Sequence, residues 1–257
     1  MKLPKKKVLV TGAAAGIGRA IASRFVAEGA TVACVDVNEA QLNDTVRSLR
    51  GGAGSAIGIV ADLGVAAELE RAANSAMDQL QGLDILINNA GINASGTVQT
   101  VEPAQWDRVI AVNLTSVFLL CRLAWPRFVK QGHGIIVNMS SIMGVTPVRD
   151  SFAYCSTKAA IIALTKSLAA DGGPHGIRVN CVCPGYVHTP IMDRAHSPEA
   201  QERLASQIPM RRMAAPEEIA AAFLWLASEE SSYATGVSLV LDGAATAGFA
   251  GCYLEPR

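Results

Sequence analysis

Tyr154 and Lys158 lie four positions apart in the stretch AYCSTKAAI, which is otherwise mostly apolar. On a helix, that spacing places the phenol and the ammonium on one face. A free phenol has a pKa of about 10, and lowering it to about 7 requires roughly 4 kcal/mol of preference for the phenolate. A nearby ammonium in a water-poor cleft can supply energy of that order. We therefore predict a proton carrier, although the pair could also be a half-buried ring covered by a solvated lysine stem.

A second chemical signal is the stretch VLVTGAAAGIGRA, in which Gly12, Gly16 and Gly18 separate a short apolar run from a segment of helical periodicity. Glycines let backbone N–H groups approach a pyrophosphate, and the N-terminus of the following helix favours its negative charge. Asp36 ends the next apolar run, where a carboxylate can accept hydrogen bonds from both ribose hydroxyls of an adenosine. The same carboxylate repels a 2′-phosphate, so we predict NAD rather than NADP. The alternative is that Asp36 caps a helix starting near Asn38.

Two further polar groups follow predicted strands. Asp62 follows the third strand, and Asn88 and Asn89 follow the fourth. Ligands bind at the carboxyl ends of strands in open parallel sheets. Asp62 could therefore accept a hydrogen bond from an adenine amino group, or it could cap a helix beginning near Val65. The two asparagines could equally be turn residues that satisfy backbone groups.

The elements that must position these side chains alternate along the whole chain. Short β-branched runs predict strands at residues 8–11, 31–35, 56–60, 84–87, 134–138, 178–182 and 237–241. Helical periodicity predicts helices at residues 18–28, 39–50, 66–80, 106–130, 153–171 and 216–228. This alternation is typical of a parallel sheet with helices on both faces. We predict an α/β fold, a Rossmann-like doubly wound parallel sheet of about seven strands, in a single domain over residues 1–257.

Two segments lie outside this alternation. Residues 185–212 contain several prolines and are predicted to be a long irregular loop, which in a compact domain is usually functional and often a lid. Residues 245–257 form a tail in which we find no motif.

Composition and charge exclude several classes of protein. The chain has 22 basic and 22 acidic residues, so no net field attracts nucleic acid or anionic lipid. We find neither a signal peptide nor an uninterrupted apolar run of about 18 residues, and we expect no membrane span. The six cysteines have neither disulfide-framework nor zinc-site spacing. We expect free thiols, no bound metal and a reducing, cytoplasmic location.

Taken together, the motifs resemble those of the short-chain dehydrogenase/reductase family over about residues 8–243. They are TGAAAGIG, NNAG, VNLTS with Asn113, VNMSSIMG with Ser141, YCSTK, and PGYVHTP. One departure is Ala244, which stands where the family usually has the second of two glycines. The resemblance implies that Tyr154 is the acid/base and Lys158 its activator. It also implies that Ser141 holds the substrate oxygen and that Asn113 anchors a water relay.

The same resemblance implies an NAD site and an assembly. Helices of the second half, together with the last helix and strand, would build a homotetramer. The residues assigned to the NAD site are Gly12, Gly16, Ile17, Gly18, Asp36, Asp62, Leu63, Asn89, Tyr154, Lys158, Pro184, Gly185, Val187 and Thr189.

The expected activity is NAD-dependent interconversion of a secondary alcohol and a ketone, or of a sugar and its lactone. Several candidate substrate contacts are polar, which favours a small sugar or polyol. These candidates are Asn93, Met143, Arg149, Tyr186, His188 and Met192. One alternative is an NADPH-dependent 3-oxoacyl-carrier-protein-type ketoreductase, against which Asp36 and the lack of a basic cofactor patch argue. The other is a non-catalytic cofactor-sensing protein, against which the complete set of four catalytic residues argues.

Overall fold

Seven parallel strands form one sheet in this computed structural model, which describes residues 1–247. The strands lie in the order β3-β2-β1-β4-β5-β6-β7. Both faces of the central strands are apolar because helices cover both, as in other doubly wound sheets. The predicted fold class is therefore confirmed. The strands are β1 (Lys7–Thr11), β2 (Thr31–Asp36), β3 (Ser55–Val60), β4 (Ile85–Asn88), β5 (Gly134–Met139), β6 (Ile177–Pro184) and β7 (Ser238–Leu241).

The helices form a layer on each face of the sheet. On one face the core includes Phe25 and Phe223 from the first and last helices. On the other face it includes Leu120, Phe128 and Ile161 from the long helices of the second half. The helices are α1 (Gly16–Ala27), α2 (Glu39–Ser48), α3 (Ala66–Gln79), α4 (Pro103–Ile110), α5 (Ser116–Gln131), α6 (Phe152–Gly172), α7 (Pro190–Ala195), α8 (Pro198–Gln207) and α9 (Pro216–Ala227).

The predicted helix over residues 106–130 differs from the observed one in two ways. It begins earlier, with Pro103 in the first turn of α4. It is also interrupted by a π-helical turn, Ala111–Thr115, which separates α4 from α5. The ends of the other predicted helices and strands lie within two residues of the observed ends.

The prediction of an irregular loop at residues 185–212 is wrong, because this segment contains α7 and α8. Both helices have a proline at the first helical position, where no backbone N–H is needed. The two helices enclose a small apolar cluster of Met192, Ile208 and Met213. Residues 186–214, which we call the cap, are closed at the base by a parallel bridge between Val187 and Ala214.

The stretch Pro103–Gln131 is long and apolar enough to cross a membrane when judged by length and composition alone. Its apolar side chains Val117, Leu120 and Phe128 are buried in the core beneath the sheet. We therefore interpret it as a core helix of this domain. The cysteines within the described residues are free thiols, whereas Cys252 and most of the predicted tail lie outside the described residues.

Candidate active site

The turn between β1 and α1 is a cradle of small residues. Gly12 has a φ of 65°, in the left-handed region that favours glycine. A Cβ on Gly18 would collide with the carbonyl oxygen of Gly12, so the close packing of turn and helix excludes a larger residue. The Nδ2 of Asn89 donates to the carbonyl oxygens of Thr11 and Gly12 at 2.9 and 3.1 Å, which ties the turn to the end of β4. The exposed backbone of this cradle suits a pyrophosphate.

Asp36 lies beside this turn at the end of β2. Its carboxylate accepts hydrogen bonds from the N–H of Ala14 at 3.0 Å and from the N–H of Asn38 at 2.9 Å. Asn38 is the N-cap of α2, and its own side chain accepts from the N–H of Gln41. The alternative role for Asp36 as the cap of that helix is therefore wrong. The half-buried carboxylate instead faces the glycine turn, as an adenosine ribose site requires.

Asp62 follows β3 and is held by two donors. Nη2 of Arg108 lies 2.8 Å from each carboxylate oxygen, and the N–H of Gly64 donates to Oδ1 at 2.8 Å. Burial raises the pKa of Asp62, but the hydrogen bonds from Arg108 and Gly64 together hold it below its usual value. The N-cap of α3 is Val65, which has no capping side-chain bond, so the helix-capping alternative for Asp62 is wrong. The neighbouring Leu63 is buried.

The segment after β6 borders the same crevice. Pro184 ends the strand, Gly185 follows it, and Val187 is buried in the core beneath α1. A Cβ on Gly16 would lie 3.3 Å from Cγ2 of Thr189, so Thr189 rests against the glycine turn. Together with the half-buried Ile17, these residues fit the pyrophosphate end of a dinucleotide, since they leave backbone exposed and place no bulky side chain in the cradle.

The two asparagines after β4 have different partners. Asn88 is buried and its Nδ2 donates to Oδ1 of Asn138 at 2.8 Å. Asn138 in turn donates to Oγ1 of Thr165 on α6 at 2.9 Å. Asn89 binds the glycine turn through both side chain and backbone. Asn88 therefore stabilises the centre of the sheet, whereas Asn89 shapes the cofactor crevice.

Tyr154 and Lys158 lie on the first turns of α6, as their spacing predicts. Nζ of Lys158 is 5.3 Å from the centre of the Tyr154 ring. Lys158 is 2% exposed and donates to the carbonyl oxygen of Met139 at the end of β5, at 2.9 Å. Burial lowers the pKa of Lys158 to about 8, so the amine is still mainly an ammonium at pH 7.

The phenol of Tyr154 lies beside Ser141. Burial raises the pKa of Tyr154 to about 12, and a side-chain hydrogen bond with Ser141 partly opposes this rise. The Ser141 hydroxyl also accepts from the N–H of Met143 at 3.1 Å, which fixes its position at the end of β5. With protein groups alone, the pKa of Tyr154 therefore lies above its usual value rather than near 7, and the phenol is protonated at neutral pH.

Asn113 is the centre of the π-helical turn. Its Oδ1 accepts from the N–H of Ile92, and its Nδ2 donates to the carbonyl oxygen of Ile92, both at 2.8 Å. A Cβ on Gly91 would lie 3.4 Å from Nζ of Lys158 and 3.5 Å from Oδ1 of Asn113. Gly91 therefore lies beside both the lysine amine and the asparagine amide, which belong to one polar centre. The π-helical turn, which is often found at functional sites, aims Asn113 at that centre.

The predicted substrate residues lie in two regions. The loop side carries Asn93 and Arg149, which are exposed, and Met143, which is half-buried. The cap carries Tyr186, His188 and Met192. His188 is exposed, whereas Met192 and Tyr186 pack in the apolar cluster of the cap. Their roles toward a substrate stay predictions.

Sequence reasoning missed Gly91, Arg108 and Thr157. Gly91 closes the NNAG motif and could have been found there. Thr157 receives a hydrogen bond from Nδ2 of Asn113 at 3.2 Å, and its position between Tyr154 and Lys158 was a usable signal. Arg108 gave no signal, because its partner Asp62 is 46 positions away in the chain.

The fold and the glycine turn are those of a dinucleotide-binding α/β protein, and comparison with known proteins agrees. Residues 12–246 match the family model described as enoyl-(acyl carrier protein) reductase. The chain is 37% identical to 2-(R)-hydroxypropyl-CoM dehydrogenase of Xanthobacter autotrophicus, with 93% of this chain and 98% of the relative covered. It is 36% identical to D-threitol dehydrogenase of Mycolicibacterium smegmatis, with 95% and 94% covered.

A solved structure gives the same result. The 3-oxoacyl-[acyl-carrier protein] reductase of Brucella melitensis with bound NAD matches with a TM-score of 0.86 and 39% identity, over 94% of this chain and 91% of that one. The chain therefore belongs to the short-chain dehydrogenase/reductase family, whose members are oxidoreductases that use nicotinamide cofactors.

Proposed function

We propose that this protein is an NAD-dependent dehydrogenase that interconverts a secondary alcohol and a ketone, or a sugar and its lactone. The carrying observation is the cluster of Tyr154, Lys158 and Ser141. Ser141 lies close enough to the phenol to lower its pKa, and Nζ of Lys158 is 5.3 Å from the centre of the phenol ring. This cluster lies at the same sheet edge as the glycine turn, which is the arrangement that hydride transfer next to a proton carrier requires.

In this proposal a bound nicotinamide supplies hydride transfer, and the protein groups handle the proton. In the reductive direction the protonated Tyr154 donates to the substrate oxygen, while Ser141 donates a hydrogen bond that orients it. In the oxidative direction Tyr154 must accept a proton, so its phenolate needs nearby positive charge. Lys158 supplies that charge, because it remains mainly an ammonium at pH 7.

The choice of NAD over NADP rests on Asp36. Its carboxylate is fixed beside the glycine turn by two backbone N–H groups, and a 2′-phosphate in the same place would meet like charge. The neighbouring residues Ala13–Ala15 and Val37 offer no cation to a phosphate. The reductase of Brucella melitensis was solved with bound NAD, which supports the same choice.

Steady-state rates with both cofactors test this choice. We expect kcat/KM for NAD to exceed that for NADP by at least about tenfold. In Asp36→Ala this preference for NAD over NADP should be smaller. A wild-type protein that prefers NADP would contradict the assignment and would favour the NADPH-dependent ketoreductase.

For the substrate we propose a small sugar or polyol. Asn93, Arg149 and His188 are exposed in segments that follow β4, precede α6 and follow β6, and they offer donors and acceptors for several hydroxyls. The activity that the name of the Mycolicibacterium smegmatis relative states, on D-threitol, is in line with this class. A second candidate is an apolar cyclic alcohol, because Val145, Val148 and Ile191 are between 42% and 54% exposed in the same two segments.

An NAD-reduction screen tests the activity and separates these candidates. The panel contains polyols, sugars, 2-hydroxy acids, cyclic alcohols and sterols, with 3-oxoacyl thioesters and NADPH in the reverse direction. We expect reduction of NAD with at least one polyol or sugar, and a rate at least about 100-fold lower with Tyr154→Phe. Turnover of only cyclic alcohols would establish the second candidate. NADH binding without turnover of any compound would favour a cofactor-sensing protein.

We also propose a cytoplasmic homotetramer without nucleic-acid or membrane partners. A groove of about 550 Å³ lies along α5 and α6, and its lining combines the apolar Phe118, Trp125, Pro126 and Leu168 with the polar Arg122, Asp171 and His175. Phe118 is 49% exposed there, which suits a contact with a second copy. Light scattering during gel filtration should give a tetramer for the wild type and smaller species for Trp125→Glu. A monomer at micromolar concentration would contradict the proposal.

A further inference from the structure

We propose that Arg108 is a positioning residue for the adenine end of the cofactor site. It holds the Asp62 carboxylate in the orientation in which that carboxylate accepts a hydrogen bond from the adenine amino group. The inference rests on the proposed use of NAD, but its test requires only cofactor binding and no substrate.

Two residues bond to the carboxylate of Asp62, and a third fixes its main chain. Nη2 of Arg108 donates to both of its oxygens at 2.8 Å, and the N–H of Gly64 donates to Oδ1 at 2.8 Å. The backbone N–H of Asp62 donates to Glu68 at 2.9 Å, which fixes the main chain at the same point. An exposed ion pair adds little to stability. A guanidinium that engages both oxygens does, however, restrict how the carboxylate can rotate.

The packing around Gly64 gives a second, independent observation. A Cβ on Gly64 would collide with the guanidinium of Arg108 and would lie 3.0 Å from Cγ2 of Val112. The guanidinium therefore lies directly on the backbone of the loop after β3. This loop leaves room for Arg108 by having no side chain at position 64, so the guanidinium packs on the loop backbone even though the arginine side chain is 42% exposed.

The hydrogen-bond count leaves Asp62 able to bind one more donor. Oδ1 accepts from Gly64 and Arg108, whereas Oδ2 accepts from Arg108 alone. A carboxylate oxygen can accept two hydrogen bonds, so Oδ2 has one position left. The adenine amino group is a donor and suits that position. Hypoxanthine carries a carbonyl oxygen instead, which would meet the carboxylate as a second acceptor.

This difference provides a readout that a merely structural role would not change. Dissociation constants for NADH and for reduced nicotinamide hypoxanthine dinucleotide are measured by fluorescence titration. The proteins are wild type, Arg108→Gln, Arg108→Lys, Asp62→Asn and Arg71→Gln. Arg71 is the matched control, because its guanidinium binds the carbonyl oxygen of Val60 at the end of the same strand, at 3.0 Å.

We expect the wild type and Arg71→Gln to bind NADH about tenfold more tightly than the hypoxanthine analogue. Arg108→Gln should weaken NADH binding roughly five- to tenfold and reduce the preference to about threefold or less. For Arg108→Lys, the NADH affinity and the preference for NADH should lie between those of the wild type and Arg108→Gln. Asp62→Asn should abolish the preference for NADH over the hypoxanthine analogue.

Two results would overturn the inference. One is that Arg108→Gln keeps the wild-type preference for NADH over the hypoxanthine analogue, even if its melting temperature falls. The arginine would then only stabilise the fold. The other is a preference retained in Asp62→Asn, since Asp62 would then not contact adenine. Failure of the proposed function looks different: the wild type itself would bind neither cofactor, or would bind both without any turnover in the substrate screen.

Discussion

The cofactor side of the crevice and the cap are built differently. On the cofactor side, Asp36, Asp62 and Asn89 are each held by backbone N–H or C=O groups of the loops that they border. The cap is held by a small cluster of Met192, Ile208 and Met213, by the bridge at its base, and by an ion pair between Arg212 and Glu218 of α9. Hydrogen-bonded loops on the sheet edge are preorganised, whereas a segment with few buried contacts opens locally at low cost. The cofactor side of the crevice is thus preorganised for a single cofactor, whereas the cap can adjust to the shape of a substrate.

The largest effect should come from the group between the two halves. Tyr154→Phe removes the proton carrier but keeps the ring against Lys158, so kcat should fall at least about 100-fold while NADH affinity stays within about twofold. Steady-state rates and fluorescence titration measure the two quantities. Tyr233→Phe is the matched control, because Tyr233 is fully exposed. More than about a tenth of wild-type kcat in Tyr154→Phe would disprove the role.

A substitution in the glycine turn on the cofactor side should mainly weaken binding of the cofactor. In Gly18→Ala the new methyl group would meet the Gly12 carbonyl oxygen and the Asn89 amide, so the turn must shift. We expect at least about tenfold weaker NADH binding and a lower melting temperature. Gly173→Ala is the control, because a Cβ at Gly173 has no neighbour within 4 Å. Unchanged NADH affinity in Gly18→Ala would mean that the turn is not preorganised for its ligand.

The buried lysine should give a stability effect that depends on pH. Burial lowers the pKa of Lys158 to about 8, so between pH 8 and its usual value of 10.5 the unfolded chain binds more protons than the folded one. Stability contributed by this group therefore rises with pH across that window. Lys158→Met, which lacks the buried charge, should gain melting temperature relative to wild type at pH 7, and the gain should shrink towards pH 10. Scanning calorimetry at several pH values measures it, and a gain that grows with pH would refute the assignment.

The smallest effect on melting temperature should come from a substitution in the cap. The same substitution in the main core provides the comparison. Met77 of α3 and Met213 of the cap are 9% and 3% exposed. Met77→Ala should lower the melting temperature by about 4–8 °C, as expected for a core cavity worth about 2 kcal/mol. Met213→Ala should lower it by no more than about 2 °C and change the substrate KM with little effect on NADH affinity, because the cap opens separately. Equal losses would show that cap and core unfold as one unit.

Local spacing explains what could be predicted from the sequence. The glycine turn, Asp36 and the Tyr154–Lys158 pair each depend on residues close together in the chain, and the structure places them as predicted. The helices of the cap were missed because Pro190 and Pro198 were interpreted as loop residues, although each lies at the start of a helix. Ser197 before Pro198 was a usable cap signal.

Properties that depend on distant parts of the chain could not be predicted. The contact between Arg108 and Asp62 joins two elements far apart in sequence, and no local pattern marks it. The raised pKa of Tyr154 has the same origin, because burial depends on the whole domain packed around α6. The YCSTK motif predicts that Tyr154 and Lys158 lie close together, but it does not predict how deeply they are buried.

The π-helical turn at Ala111–Thr115 sets the rotational phase between two halves of one long helix. Each residue in an α-helix advances the chain by about 100°. Removing one residue from this turn to make a regular helix would therefore swing either Asn113 away from Ile92 or the apolar stripe of α5 away from the sheet. The π-helical turn thus sets the rotation of α5 relative to α4. As a result, the apolar side chains of α5 face the sheet while Asn113 stays bonded to Ile92.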